Sequence, residues 1–353
     1  MKARLRQDST PVLLIVLLGA IVLLTSLGTL TIRSAASTAL ITMIVVVALS
    51  IFSGNSGVFS FGHVAFMAVG AYVTTLTASS EIYKGIQLKE LPEWLATMQL
   101  DPTLALLGAG AVAGVFAFLV ALPLMRLNGL AASLATISLL IIIRVILQNW
   151  DRYTRGTRGL IVDVEPPSSS TLFLWTAAAI VVAWLFRRSR IGLRLIASRE
   201  DEVAARATGI RVYPERIIAF TLSGFVAGVA GGLFALHYQS ISPNSFYLVL
   251  TFMVVAMLVI GGVESLSGAV IGTIALSTVL EILRQVEEGI SRPGISDFGL
   301  ALALLAMLIL RPAGLTGGRE LRLPGQGPRQ APATEASPAT AAAGTTTTST
   351  TPN

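Results

Sequence analysis

Apolar runs of membrane-spanning length decide what this chain can fold into. Ten follow one another with short polar breaks between them: Pro11–Thr31, Ala35–Phe52, Val64–Ala78, Thr103–Leu124, Leu130–Trp150, Thr171–Phe186, Ile217–Tyr238, Phe246–Ile260, Leu266–Leu283 and the shorter Phe298–Leu310. About 20 apolar residues in a helix cross a hydrocarbon core. Inside that core a chain must satisfy its own backbone polar groups, which a helix does locally. The expected fold is therefore an all-α polytopic membrane protein with about ten transmembrane helices. Only 12% of residues are charged, against about 25% in soluble domains, so no separate soluble domain is expected. Pro11–Thr31 is longer than the apolar core of a cleaved signal peptide and reads as a retained span.

Charge sets the orientation. Three basic residues lie in the head (Lys2, Arg4, Arg6), one is Arg126, eight lie between Arg187 and Arg216, and four lie from Arg311 onward, which makes 16 of 25. Short loops rich in Lys and Arg stay in the cytoplasm, so both termini are expected inside. The sequence pI near 10.0 follows from the same rule and carries no nucleic-acid reading. Residues 1–10 form a basic head and 11–316 the membrane domain. Residues 317–353, rich in Pro, Ala and Thr, form a tail expected to be disordered because its composition cannot bury a core.

The segment 187–216 is the one long polar stretch between spans that looks built for contact. Eight arginines face Glu200, Asp201, Glu202 and Glu215. Within it, Ser198 to Gly209 reads as one short helix. Ser198 would cap it, the three acids would favour its positive start, Arg206 its negative end, and Gly209 would stop it in the left-handed conformation. A helix this short is marginal alone, so its flanks and a partner should hold it.

Other motifs leave two readings open. Gly54-Asn-Ser-Gly-Val-Phe-Ser-Phe-Gly-His63 interrupts the apolar pattern. It is either a kink filled by neighbouring helices or a broken helix whose free amides meet a substrate carboxylate, with Asn55, Ser56, Ser60 and His63 adding polar contacts. Arg144 lies inside a span, where a charge marks function unless it snorkels to the nearby end. Gly224, Gly228 and Gly232, four apart, line one helix face for close packing against another helix, a partner or a pathway.

Several chemistries are excluded. With no cysteine and only His63 and His237, thiol chemistry falls away and no metal site is expected. None of Lys2, Lys84 and Lys89 sits in a P-loop. If ATP drives this protein, another chain binds it.

Four blocks resemble the permease subunits of ABC importers for branched-chain amino acids, and among them the longer of the two paired permeases. They are Ser53–Tyr72; Leu134-Ala-Thr136 through Arg144 to Asn149-Trp150; Ser189-Arg-Ile-Gly-Leu-Arg194 through Gly209-Ile210; and Ala219–Gly232 with Gly261-Gly262 and Arg311-Pro-Ala-Gly-Leu315. The resemblance implies a non-catalytic subunit of the bacterial cytoplasmic membrane that imports Leu, Ile or Val by alternating access. It implies four kinds of companion: a second permease, two ABC ATPases carrying ATP and Mg, a periplasmic or lipid-anchored binding protein, and the bilayer. It also makes the helix in 187–216 the coupling helix, with Ser198, Arg199, Glu200, Glu202, Arg206 and Gly209 facing the ATPase. Relatives handling urea or short amides carry nearly the same motifs. Similar permeases often have an acid three residues before Arg144, where this chain has Ile141. A gradient-driven secondary transporter is the other class, but its spans would carry buried charges, and these are almost bare of them.

Overall fold

A computed structural model describes residues 10–290 except Leu27 and Lys89, together with residues 294, 299, 301, 302, 314–318 and 320. Among the described residues the chain is all-α apart from one two-residue strand pair. Among the described residues seven helices are long and apolar enough to cross a membrane. They are α2 (Leu30–Leu49, continuing as a π turn over Ser50–Gly54), α6 (Pro102–Leu124), α7 (Gly129–Asn149), α9 (Ser169–Arg188), α12 (Val212–Tyr238), α13 (Leu248–Gly261, entered through a 3-10 turn at Pro243–Ser245) and α14 (Leu266–Ile290). Two shorter apolar helices, α1 (Thr10–Ser26) and α3 (His63–Ala78), join them. Nine of the ten expected spans therefore appear as helices, and Phe298–Leu310 lies mostly outside the described residues. The head, residues 1–9, lies outside them too.

Short helices fill the two ends. At one end lie α4 (Glu81–Gln87), α5 (Glu93–Ala96), α8 (Asp151–Thr154) and the pair β1 (Leu160–Ile161) and β2 (Ser240–Ile241). At the other lie α10 (Arg190–Glu200) and α11 (Glu202–Ala207). We call the latter the arginine-rich end.

The core is built round α12, which runs between α3 and α6. Side chains on Gly228 or Gly231 would collide with α6 at Ala113 or with the α3 backbone at Met67. Gly224 meets Ala117, and Gly232 meets Thr74 and Leu106. The glycine row is thus the surface on which three helices of this chain close up, as small residues allow in membranes. Residues 40–52 of α2 are almost wholly enclosed, whereas α7 leaves Ile141, Ile142, Val145 and Ile146 exposed.

The tail boundary moves. Leu315 N bonds Ile260 O at 2.7 Å, Thr316 N bonds Gly261 O at 3.2 Å, and Glu320 accepts from the first amides of α14, Leu266 N at 2.8 Å and Ser267 N at 3.1 Å. A carboxylate suits the positive start of a helix. Packed chain therefore reaches Glu320, three residues past the expected start of the tail at 317, and residues 321–353 lie outside the description.

At the far end Lys84 is buried. Its ammonium donates to the carbonyls of Leu76 (3.3 Å), Leu95 (3.0 Å) and Met98, tying the end of α3 to the loop through α5. Burial pushes its pKa down, partly offset by Glu81 and Asp163.

Candidate functional site

The break between α2 and α3 exists, and its polar atoms are largely spoken for. After the π turn the chain bends at Gly57, with φ +71°, and restarts as a helix at His63. Side chains answer the amides along the bend. Val58 N bonds Ser56 Oγ (3.2 Å), Ser60 N bonds Ser53 Oγ (3.3 Å), Phe61 N bonds Thr136 Oγ1 (3.0 Å) and Gly62 N bonds Ser60 Oγ (3.4 Å). Asn55 Nδ2 donates to Ile51 O at 2.8 Å. Ser53, Asn55, Ser56, Ser60 and His63 are all buried. Five amides of the bend, those of Gly57, Val58, Ser60, Phe61 and Gly62, therefore have partners in this conformation, and neighbouring elements fill the break.

His63 fastens the bend to the central helix. Its Nε2 lies 2.9 Å from Ser223 Oγ and its Nδ1 3.0 Å from Ser60 Oγ. Ser223 gives its own proton to Phe220 O at 2.8 Å, so it accepts from His63, and the proton of a neutral ring sits on Nε2. Phe52, Phe66 and Phe220 surround the imidazole. Ser60 and His63 thus serve packing and orientation.

The arginine-rich segment departs from the expected single helix. Ser198 lies inside α10, buried, with its hydroxyl turned back to Leu195 O at 2.8 Å. The cap is Asp201, whose Oδ1 accepts from Val203 N and Ala204 N, both at 2.9 Å. Leu195 is fully buried, and its anchoring carries α10 two residues past Ser198 before the extended residue Asp201 resets the chain. Gly209 has the expected positive φ, +85°, with open space where a side chain would stand.

The segment's arginines sort into two sets. Arg206 (61% exposed) and Glu200 (68%) face outward, and α11 also shows Val203, 79% exposed, with Ala204 and Ala207. Glu202 is shared between Arg206 and Arg216, and Arg216 also bonds Asn128 Oδ1 at 2.6 Å. Arg194 pairs with the buried Glu215 at 3.1 Å. Arg199, expected to face the ATPase, turns its side chain inward. Its side chain is 15% exposed and Nη1 donates to Gly54 O at 2.9 Å. Arg187, which no sequence motif marked, donates from Nη1 to Asn55 Oδ1 at 3.3 Å and pairs with Glu320 at 3.4 Å. Ser198 and Arg199 therefore do not belong to the outer surface. A cavity of about 530 Å³ beside them is lined by Ser53, Gly57, Phe59, Arg199, Glu264 and Gly318.

Arg144 sits at the other end. Its guanidinium lies 3.9 Å from the Tyr247 ring centroid and donates to Asn244 Oδ1 at 2.9 Å, which Gln148 also meets at 3.1 Å. An amide and an aromatic face thus occupy the place a carboxylate would take. Both partners come from the turn into α13, 100 residues away, and no spacing reveals them. Gln148 also borders a cavity of about 780 Å³ lined by Arg152, Arg155, Arg158, Glu90 and Asp151. Among the described residues no cluster of His, Asp or Glu could hold a metal ion.

A family model described as "branched-chain amino acid transport system / permease component" matches residues 31–310. The chain is 29% identical over 320 residues to the high-affinity branched-chain amino acid transport system permease protein LivM of Escherichia coli strain K12, covering 80% of this chain and 70% of that one. It is 26% identical over 226 residues to the probable branched-chain amino acid transport permease protein LivH of Methanocaldococcus jannaschii (59% and 71% covered). It is 31% identical over 188 residues to the autoinducer 2 import system permease protein LsrC of Escherichia coli O9:H4 (50% and 54% covered). No solved structure gives a significant match.

Proposed function

The chain belongs to the family of branched-chain amino acid transport system permease components, and on that premise we propose that it forms one half of the membrane pathway of an ATP-driven importer for Leu, Ile and Val. The family match across residues 31–310 carries this reading. LivM and LivH support the cargo by their names, while LsrC names another cargo on a similar chain. The chain is not itself the enzyme. ATP and Mg bind to two separate ATPases, a second permease completes the pathway, and a binding protein delivers the amino acid. The arginine-rich end lies in the cytoplasm of a bacterium, with the inner membrane around the spans.

In this reading α11 is the coupling helix. Its support is an outward face of Val203, Ala204, Ala207 and Arg206, flanked by Glu200 and the open left-handed Gly209. An apolar strip edged with charge suits burial against a partner better than exposure to water. The break at Asn55, Ser56, Ser60 and His63 is the inner gate, closed here with most of its amides answered internally. Arg144 faces the outer vestibule, where a guanidinium without a carboxylate partner among the described residues is suited to a substrate carboxylate. Alternating access then consists of freeing the gate from the inside while the vestibule closes.

Uptake of labelled leucine by cells lacking the chain, and by cells in which it is restored, tests the cargo. Isoleucine and valine should compete in the restored cells, and urea and short amides should not. Competition by urea alone would move the chain to the amide-handling relatives.

A further inference from the structure

Arg199 and Arg187 both reach from the arginine-rich segment to the break. Arg199 is the penultimate residue of α10, three positions before α11 begins. Its Nη1 holds Gly54 O, the last carbonyl of the π turn, and its Nη2 bonds Glu200 at 2.6 Å and lies 3.7 Å from Glu264. A helix end leaves such carbonyls without intrahelical partners. The aliphatic stem of Arg199 lies along Gly57, where an added Cβ would stand 2.6 Å from Cγ. Arg187, in the last turn of α9, grips the Asn55 side chain, whose other end is fixed to Ile51 O. Its Nη2 donates to Glu264 O, and Nε pairs with Glu320, which holds the start of α14.

We propose that Arg187 and Arg199 form a rigid tie that carries displacement of α11 into the π turn and so moves the gate. The proposal rests on the importer reading above. Its physical content is an irregular element, a π turn followed by a non-helical bend, gripped by charged donors from the segment that a partner would push. π turns are irregularities often found at functional sites. Coupling between distant sites requires an element with two arrangements that both sites bias. The cavity beside Arg199 leaves room for the bend to move. Arg199 acts here by positioning backbone; it touches neither substrate nor nucleotide.

The absence of cysteine makes a direct test possible. In Gly57→Cys/Arg199→Cys the two Cβ atoms would lie 3.6 Å apart, within the range of roughly 3.5–4.5 Å that a disulfide spans. The assay is ATP-driven leucine uptake by the complete importer in proteoliposomes, with ATP hydrolysis and ATPase co-purification read in parallel. In the reduced pair, and in Arg199→Gln, the ATPases should still co-purify and hydrolyse ATP while leucine moved per ATP falls roughly tenfold. Oxidising the pair should restore uptake, because a covalent tie replaces the ionic one. Strain at position 57 is common to both redox states and cancels in the comparison. Wild-type stoichiometry in Arg199→Gln, lost ATPase binding in that variant, failure of the pair to cross-link, or no gain on oxidation would each overturn the tie. No ATP-driven uptake by the wild-type complex would instead overturn the importer reading.

Discussion

Replacing Asp201 by Ala separates the observed architecture of the arginine-rich segment from the one its sequence implies. One carboxylate oxygen accepts two amides, Val203 N and Ala204 N, at the start of a six-residue helix. Losing an N-cap costs about 1 kcal/mol, and so short a helix has little cooperative reserve to absorb it. About 1 kcal/mol is about a fivefold shift in a local equilibrium. Asp201→Ala should therefore raise amide hydrogen exchange across Glu202–Ala207 about fivefold, and Asp201→Asn, which keeps an acceptor, should change it little. Ser198→Ala is the counterpart. The Ser198 hydroxyl donates to Leu195 O and caps no amide, so exchange over the same residues should stay near wild type. If Ser198→Ala loosened α11 and Asp201→Ala did not, the two-helix reading would be wrong.

Three further outcomes follow. Gly231→Ala places a methyl inside the Met67 carbonyl, and overpacking of about 1–3 kcal/mol or more should lower the detergent melting temperature well below that of Gly85→Ala, where nothing lies within 4 Å. Lys84 has a lowered folded pKa, so the unfolded chain binds the proton more tightly. Its penalty is full below the lowered value and fades as pH rises towards the ordinary lysine value of about 10.4, so thermal stability should rise with pH through that window. Lys84→Met should remove this slope and, by orphaning three carbonyls, lower stability by about 2 kcal/mol. Arg144→Gln should raise the leucine concentration needed for half-maximal uptake and leave ATPase co-purification unchanged; lost co-purification would assign Arg144 to assembly.

Hydropathy made nine helices legible because a bilayer imposes length and apolarity on each span, and the observed ends mostly fall within a few residues of those expected. The glycine row of α12 was legible for the same local reason: residues four apart share a face. Gly209 was legible because a left-handed residue after a charged helix selects glycine. The cap was misread because Ser198 and Asp201 are both eligible by type, and the buried Leu195 three residues before Ser198 decides between them. The break could be found from its glycines and serines, but not what fills it. Thr136 and Ser223 reach it from 75 and 160 residues away in sequence, and Arg187 and Arg199 from 132 and 145. Such pairings depend on how helices assemble, which one strand of text does not order. The same holds for Glu320, which composition assigned to a tail and whose carboxylate accepts from the first amides of α14.

Purified chain reconstituted with its second permease, two ATPases and binding protein, and assayed for labelled leucine entering liposomes, tests the central claim most directly. Uptake should require ATP and cease when the ATPases are omitted. Leucine accumulation by this chain alone under an ion gradient would contradict the account.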